Sequence, residues 1–446
     1  MASLSTRIET RLSQGVATGV DLQRELQISQ PTFSRAARAF GERLVRIGGG
    51  RSARYGLRRE IALIGSSWPA FVIDETGSIR PCGELVALAR NQYWFDAAYP
   101  ERGLLSDGLP YFLQDLWPQG FIGRTLSGRH PELELPARIT DWNEQHVLTY
   151  LIRRGEDCTG NLLIGSESLQ RYLRISRSAR GWISAAAREK SYPEMAEAAL
   201  SGAPVGSSAG GEHPKFTAIL QRGARLRHVL VKFSPELKDR SGERWSDLLV
   251  AEHLASKALG DIGVTAAATE LAFCGDRTFL ESARFDRAGE RGRIAIVSLA
   301  ALVDHHIGRR DSWTSAAARL GAMGVISAAS AEAIRRAATF GQLIGNTDMH
   351  FGNLSFLFSF RGALSLAPVY DMLPMAYAPV MGVDLPKAGF EPPLPSGANL
   401  DIWPAIAARA ERYWRDVAEH GEISSGFASL AAKNAAAVAR ARKLLP

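Results

Sequence analysis

Residues 345–353 read Gly345-Asn346-Thr347-Asp348-Met349-His350-Phe351-Gly352-Asn353, and the fold is read outward from them. Upstream, Ile334, Ala337, Phe340, Gly341 and Ile344 repeat at three- and four-residue spacing, which predicts a helix starting near Ser330. Downstream, LSFLFSF, the turn Arg361-Gly362 and ALSLAPVY form a hairpin pattern that delivers Asp371 just past its second strand. The order is therefore helix, a loop with Asp and then Asn five residues on, a hairpin, and a second Asp. Phosphoryl transfer needs few groups in fixed places. One carboxylate orients the attacking hydroxyl and takes its proton, while an Asn carbonyl and a second carboxylate hold Mg²⁺ against the phosphates. Asp348, Asn353 and Asp371 supply those groups in that order. His350 stands in the same loop as a brace and a neighbour of the nucleotide.

Two further segments agree. The strand HVLVKF (228–233) carries Lys232 among apolar neighbours, a placement that is costly unless the ammonium meets an anion. Twenty positions on, Glu252 lies on a predicted helix over 245–259 with Leu248, Leu249, Ala251, Leu254, Ala255 and Ala258 at helical spacing. A strand Lys paired with a helix Glu is how protein kinases hold the α and β phosphates of ATP. Before that strand, GSSAGGEHPK (206–215) is rich in glycine, so backbone amides can turn toward an anion. It formally matches the GxSxG elbow of hydrolases, but Gly211 and Pro214 break the helix that elbow requires. Nor is it a Walker A loop, because Glu212 follows Gly211 where that motif has Lys.

Composition sets the frame. The chain has 446 residues, enough for about three domains, and 46% hydrophobic residues supply a large core. Its net charge of +7 is concentrated: residues 1–60 hold eleven Arg, no Lys and five acids, a surplus of six. Three helices are expected there, over 4–14, 21–28 (capped by Asp21) and from Ser29 to about Leu44. The ribbon LVRI-GGGRSA-RYGL follows. Three helices and a hairpin describe a winged helix-turn-helix. Gln30, Thr32, Ser34, Arg35 and Arg38 would face a DNA groove, and Arg51 and Arg54 would meet phosphates. Cys82, Cys158 and Cys274 are far apart and outside any CxxC pattern, and no apolar run approaches the ~18 residues of a membrane helix. Both facts favour a cytoplasmic protein without membrane contact. His130, His146, His305 and His306 are expected to be structural.

The stretches VGSSAGGEHPK, VLVKF, the Glu252 helix, ARFDR (283–287), GNTDMHFGNLSF and PVYDM resemble the HipA family of bacterial serine/threonine kinases, the toxin component of toxin–antitoxin pairs. They spread over residues 200–375, and YFLQDLWPQGFIGR (111–124) is similar to the family's N-terminal portion. The resemblance implies an α+β, two-lobed protein-kinase-like fold using ATP and Mg²⁺. It makes Asp348 the catalytic Asp, Asn353 and Asp371 the Mg²⁺ ligands, and Lys232 an ATP contact. Gly210, Gly211 and Lys215 fall in the phosphate loop, and Ala283 to Phe285 form the hinge beside adenine. Ser207 and Ser208 stand where the family carries an autophosphorylated serine whose modification ejects the loop. Typical members lack a DNA-binding module and are restrained by a separate helix-turn-helix antitoxin. Here the module is fused in cis, as in the subgroup named YjjJ. The expected layout is a winged helix-turn-helix over 1–60, an N-terminal subdomain with the small lobe over 61–285, and a mainly helical lobe over 286–446. A protein substrate, DNA and a second copy of the chain are the expected partners. Two other classes stay open on the residues: a DNA-binding regulator whose kinase fold senses nucleotide, and a small-molecule phosphotransferase.

Overall fold

The computed structural model describes residues 2–97, 103–118, 120–177, 181–202, 213–223, 225–358, 363–380, 385 and 389–444. At the N-terminus, α1 (Leu4–Ser13), α2 (Gly19–Leu26) and α3 (Gln30–Ala39) pack with β1 (Ala17–Thr18), β2 (Leu44–Ile47) and β3 (Arg54–Leu57), the strands ordered β1-β3-β2. The helices bury Ile8, Leu12, Leu22, Leu26, Phe33 and Phe40 together with Leu57. Ser3 and Ser29 cap α1 and α3. The expected Asp21 cap is corrected: Thr18 caps α2, and its Oγ1 accepts from the Asp21 amide at 3.0 Å. Asp21 sits in the first turn, where its carboxylate accepts from the Thr18 hydroxyl and favours the positive helix end. The third helix also stops short of Leu44, at Ala39, and Gly41 with φ +53° turns the chain into β2. This unit rests on the next one. Val16 and Val45 pack with Ile47 against Val86, Leu88, Trp94 and Leu105, and the Val16 amide donates to Gln92 at 2.8 Å.

The middle unit is a five-stranded antiparallel sheet ordered Leu104–Asp107, Gln92–Ala97, Ile79–Leu88, Ser67–Ile73, Leu162–Ile164. Helix Glu144–Arg154 covers it with Val147, Leu148 and Leu151. His146 is structural here: its Nδ1 accepts from the Asn143 amide at 3.1 Å, closing a capping box.

A second five-stranded sheet carries the chemistry, ordered Thr269–Cys274, Arg277–Ala283, Arg225–Phe233, Lys215–Arg222, Ile183–Ser184. Side chains alternate across a strand, so Val229, Val231 and Phe233 join Phe216, Ala218 and Leu220 against Tyr192 and Ala196 of helix Arg188–Leu200. The same alternation turns Leu230, Lys232 and Lys215 to the opposite face, toward helix Arg240–Asp261. Lys215 pairs with Lys232 in the antiparallel register. The apolar strand thus presents its lysine by period-two geometry.

The C-terminal unit is helical. Trp313–Ala322, Ala328–Leu343, Trp403–Glu419 and Ser425–Lys443 share a core with Phe340, Trp403, Tyr413 and Trp414. A small sheet of Ile296–Ser298, Ser355–Leu357 and Ser365–Leu366 joins them, so the expected hairpin is present with a shorter second strand. Two enclosed aspartates cap helices from a distance. Asp115 accepts from the Ser298 amide and hydroxyl, and Asp247 from those of Ser424. Burial outweighs these hydrogen bonds and pushes both carboxyls up to about 6. A carboxyl raised in the folded state stabilises it below the unfolded value and loses that contribution as pH rises through the folded one. The thermal midpoint of the wild type should therefore fall from about pH 4 to about pH 7 relative to an Asp115→Asn/Asp247→Asn variant. Parallel curves in calorimetry would refute this. Among the described residues, no helix is long and apolar enough to cross a membrane.

Candidate active site

Lys232 is the centre. Its buried Nζ donates to Glu252 Oε1 at 2.6 Å and Oε2 at 2.7 Å, and also pairs with Asp371. Glu252 reaches it from the buried stretch Ser246–Glu252 of helix Arg240–Asp261, which packs against the sheet. Burial alone would raise Asp371. The cations Lys232 and Lys215 overcome that and hold its carboxyl well below the usual range. Burial raises Glu252, with Lys232 pulling the other way. It also lowers Lys215, to about 8, despite the attraction of Asp371. An ionised Asp371 among buried ammoniums is set up to exchange a lysine for another cation. Its backbone sits at φ +61°, the left-handed region that few non-glycine residues occupy, so the surrounding structure fixes its direction.

The Asp348 loop is built by its own polar side chains. Gly345 (φ +73°) ends helix Ala328–Leu343. The buried Asn346 then accepts from the Asp348 amide at 3.0 Å. His350 caps the single turn Phe351–Asn353, its Nδ1 accepting from the Gly352 amide at 3.1 Å, while its carbonyl accepts from Trp313 Nε1. Asn353 is buried, and its Nδ2 donates to the Asp348 carbonyl at 2.9 Å. Tyr370, next to Asp371, donates to the Gly352 carbonyl at 2.7 Å. Met372, on the other side of Asp371, meets Asn346 Nδ2 at 3.5 Å. The loop and Asp371 are therefore tied together on both flanks of Asp371. The Asp348 carboxylate is left exposed.

A cleft of about 660 Å³ opens in front of Lys232. Lys215, Lys232, Glu252 and Asp371 line it, together with the apolar Leu230, Ala283 and Phe285 and the Arg284–Asp286 pair. Sequence reasoning missed Tyr370, whose ring lies 5.7 Å from Phe285, and Thr159 and Ile296, which complete the walls. It also missed the role of Asp286 within ARFDR. That carboxylate accepts from Arg284, from Arg287 and from the Gly160 amide at 3.1 Å, pinning the 283–287 segment to the middle unit. No local signal marks such a contact, because its partner lies 126 residues away.

Among the described residues, no three His, Cys, Asp or Glu side chains converge into a metal cage. The donor chemistry fits Mg²⁺ all the same. Asp371 offers an ionised carboxylate, and Asn353, with its amide nitrogen engaged, offers its oxygen; hard oxygen ligands with coordination positions left to phosphate and water suit this ion. Ser207, Ser208, Gly210 and Gly211 lie outside the described residues. His305 and His306 pack on Tyr111, His305 stacked at 4.4 Å, in keeping with a structural role.

A family model described as "YjjJ-like toxin, middle domain" matches residues 64–173, and a "HipA-like C-terminal domain" model matches 207–438. Toxin YjjJ of Escherichia coli (strain K12) is 36% identical, covering 94% of both chains. The chain belongs to the YjjJ-like, HipA-like toxin family. A chain of the Shewanella oneidensis MR-1 complex of HipA, HipB and operator DNA has the same fold, with a TM-score of 0.50 at 14% identity. The match covers 84% of this chain and 97% of that one. In this YjjJ-like protein α3, β2 and β3 carry no acidic residue. Gln30, Arg35, Arg38 and Arg54 are exposed, with Thr32 and Ser34 half-buried beside them. Arg11, Arg24 and Arg43 are paired with Glu25, Asp21 and Glu9. Arg35, Arg38 and Arg54, and also Arg46, which the sequence reading passed over, enter no ion pair among the described residues. The side chain of Arg51 lies outside the described residues.

Proposed function

We propose that this chain is an ATP- and Mg²⁺-dependent protein serine/threonine kinase with a DNA-binding winged helix-turn-helix in cis, modifying its own loop at Ser207 or Ser208. The observation that carries the reading is the Lys232–Glu252–Asp371 cluster in a cleft that Leu230, Ala283, Phe285 and Ile296 also line. Lys232 and Lys215 would bind the phosphates, and Ala283, Phe285 and Tyr370 the adenine, with the 61–285 portion closing over the 286–446 lobe. Asn353 and Asp371 would hold Mg²⁺, which when bound offsets the charge of the phosphates. Asp348, pinned through its backbone, would orient a serine hydroxyl and accept its proton as that oxygen attacks the γ-phosphorus. The bond to the β-phosphate oxygen then breaks and ADP leaves. The serines at 207 and 208 favour a protein acceptor over a small molecule.

The exposed arginines of α3 and β3 support contact with DNA phosphates. The Shewanella complex holds HipA, HipB and operator DNA together; here one chain carries both modules, so a separate antitoxin is unnecessary for DNA docking. Its partners are then DNA, a protein substrate and, on a two-half-site operator, a second copy of the chain. A cytoplasmic setting agrees with three buried free thiols, two of them, Cys82 and Cys158, pushed up by burial to about 12. Incubation with γ-labelled ATP and Mg²⁺ tests the kinase reading. Label should appear on the 203–212 peptide in the wild type, and none in Asp371→Asn. Equal labelling of both proteins would defeat the assignment.

A further inference from the structure

Thr159 and Ile296 line the Lys232 cleft and also a second cavity, of about 1370 Å³ against 660 Å³ for the cleft, which no step of the proposed reaction uses. It lies where the middle sheet meets strand Ile296–Ser298 of the helical lobe. Val72, Phe112, Leu116, Leu162 and Ile296 give it an apolar lining. Three polar side chains join them, Arg80, Thr159 and Asn161, and none of the three has an ion pair or a side-chain hydrogen bond among the described residues. Asp74 feels the charge of Arg80 without pairing with it. No acidic side chain is among the described residues that line the cavity.

The strand register explains how these groups come together. Leu162 stands opposite Val72, and Val72 opposite Arg80, so the three form one cross-strand row on a single face. The pairing slips between Ala70 and Phe71, where Cys82 is the extra residue of a bulge. A regular strand would turn Pro81 away from its two neighbours. A bulge re-aims side chains, and here Arg80, Pro81 and Cys82 line the cavity in unbroken succession. Sites for small organic ligands are mostly apolar, with a few convergent polar groups that fix orientation. The apolar lining favours a body that leaves water, and an unpaired guanidinium with no carboxylate beside it favours an anionic head.

We propose that this cavity binds an organic monoanion with an apolar body, its head on the Arg80 guanidinium and its body against Val72, Phe112, Leu116 and Leu162. Thr159 and Asn161 supply neutral donors to its polar atoms. The site is separate from the nucleotide cleft, and the inference does not depend on phosphoryl transfer. Anilinonaphthalene sulfonate, which joins an apolar ring system to one sulfonate, is the probe. It is titrated by fluorescence into full-length wild type, Arg80→Ala, Arg80→Lys and Ala295→Phe, with and without saturating ATP and Mg²⁺, beside thermal unfolding of each protein. The wild type should bind one equivalent, and ATP should not displace it. Arg80→Ala should weaken the affinity about tenfold, the usual worth of a hydrogen bond to a charged group, and Arg80→Lys should retain most of it. Ala295 lines the cavity, so Ala295→Phe should fill it, abolish binding there and leave the unfolding midpoint unchanged or higher. Equal affinity in wild type and Arg80→Ala overturns the inference. So does displacement by ATP, which would put the probe in the nucleotide cleft. Should Ala295→Phe lower the midpoint, the substitution has damaged the fold and the two Arg80 variants decide the matter between them.

Discussion

Asp348→Asn should lower phosphoryl transfer by about 10²- to 10⁴-fold, the usual worth of a positioned general base, and leave ATP affinity within about twofold. The split follows from how the loop uses this residue. Its amide donates to Asn346 and its carbonyl accepts from Asn353, and both groups survive the substitution. Its side chain is exposed and is not part of the cleft wall, so the nucleotide keeps every interaction it has there. Asn keeps the shape and the tendency to sit in such a turn, so unfolding should hardly change. Single-turnover rates at saturating ATP, set beside calorimetric affinities, check both halves. Full activity in Asp348→Asn would remove the carboxylate from the reaction. A parallel collapse of binding would mean that the loop, and not the carboxylate, is what the substitution damaged. Lys232→Met gives the opposite pattern. It strips a buried cation from Glu252 and Asp371 at once, so ATP affinity and stability should fall together.

The contrast explains why parts of this site are legible in the sequence and others are not. Lys232 is legible because an ammonium in an apolar strand violates the expected composition of that strand, and period-two alternation says which way it must face. The Asp348, Asn353 and Asp371 series is legible because its spacing is local and its chemistry narrow. The cap of α2 is misread at Asp21 because both Thr18 and Asp21 are competent caps, and the end of the preceding two-residue strand at Thr18 decides between them. Asp286 and Thr159 are hidden for another reason. Their roles depend on the middle unit folding against the second sheet, which no periodicity records.

The second large effect concerns DNA. Charge reversal at three exposed positions, Arg35→Glu/Arg38→Glu/Arg54→Glu, should weaken duplex binding by at least about a hundredfold at 0.1 M salt and flatten its dependence on salt. Each phosphate that the protein no longer neutralises takes about 0.9 from the slope of log K against log salt, so three such phosphates should lower it by about 2.7. These positions suit the test because none of the three arginines pairs with an acid among the described residues, so their removal strands no buried charge. Removing residues 1–60 altogether is a poorer test. It would uncover Val86, Leu88, Trp94 and Leu105, and a sticky apolar face could bind DNA or aggregate for reasons unrelated to the arginines. Fluorescence anisotropy on a labelled duplex over 50–200 mM salt reads both affinity and slope. An unchanged slope would place the DNA-binding face elsewhere on the chain and leave the N-terminal surplus of charge without its proposed target. A reduced slope with wild-type rates of phosphoryl transfer would show that the two activities occupy separate surfaces. The spacing between the basic face of α3 and the Lys232 cleft, bridged by the middle sheet and the Asp286 clamp, predisposes the chain to that outcome.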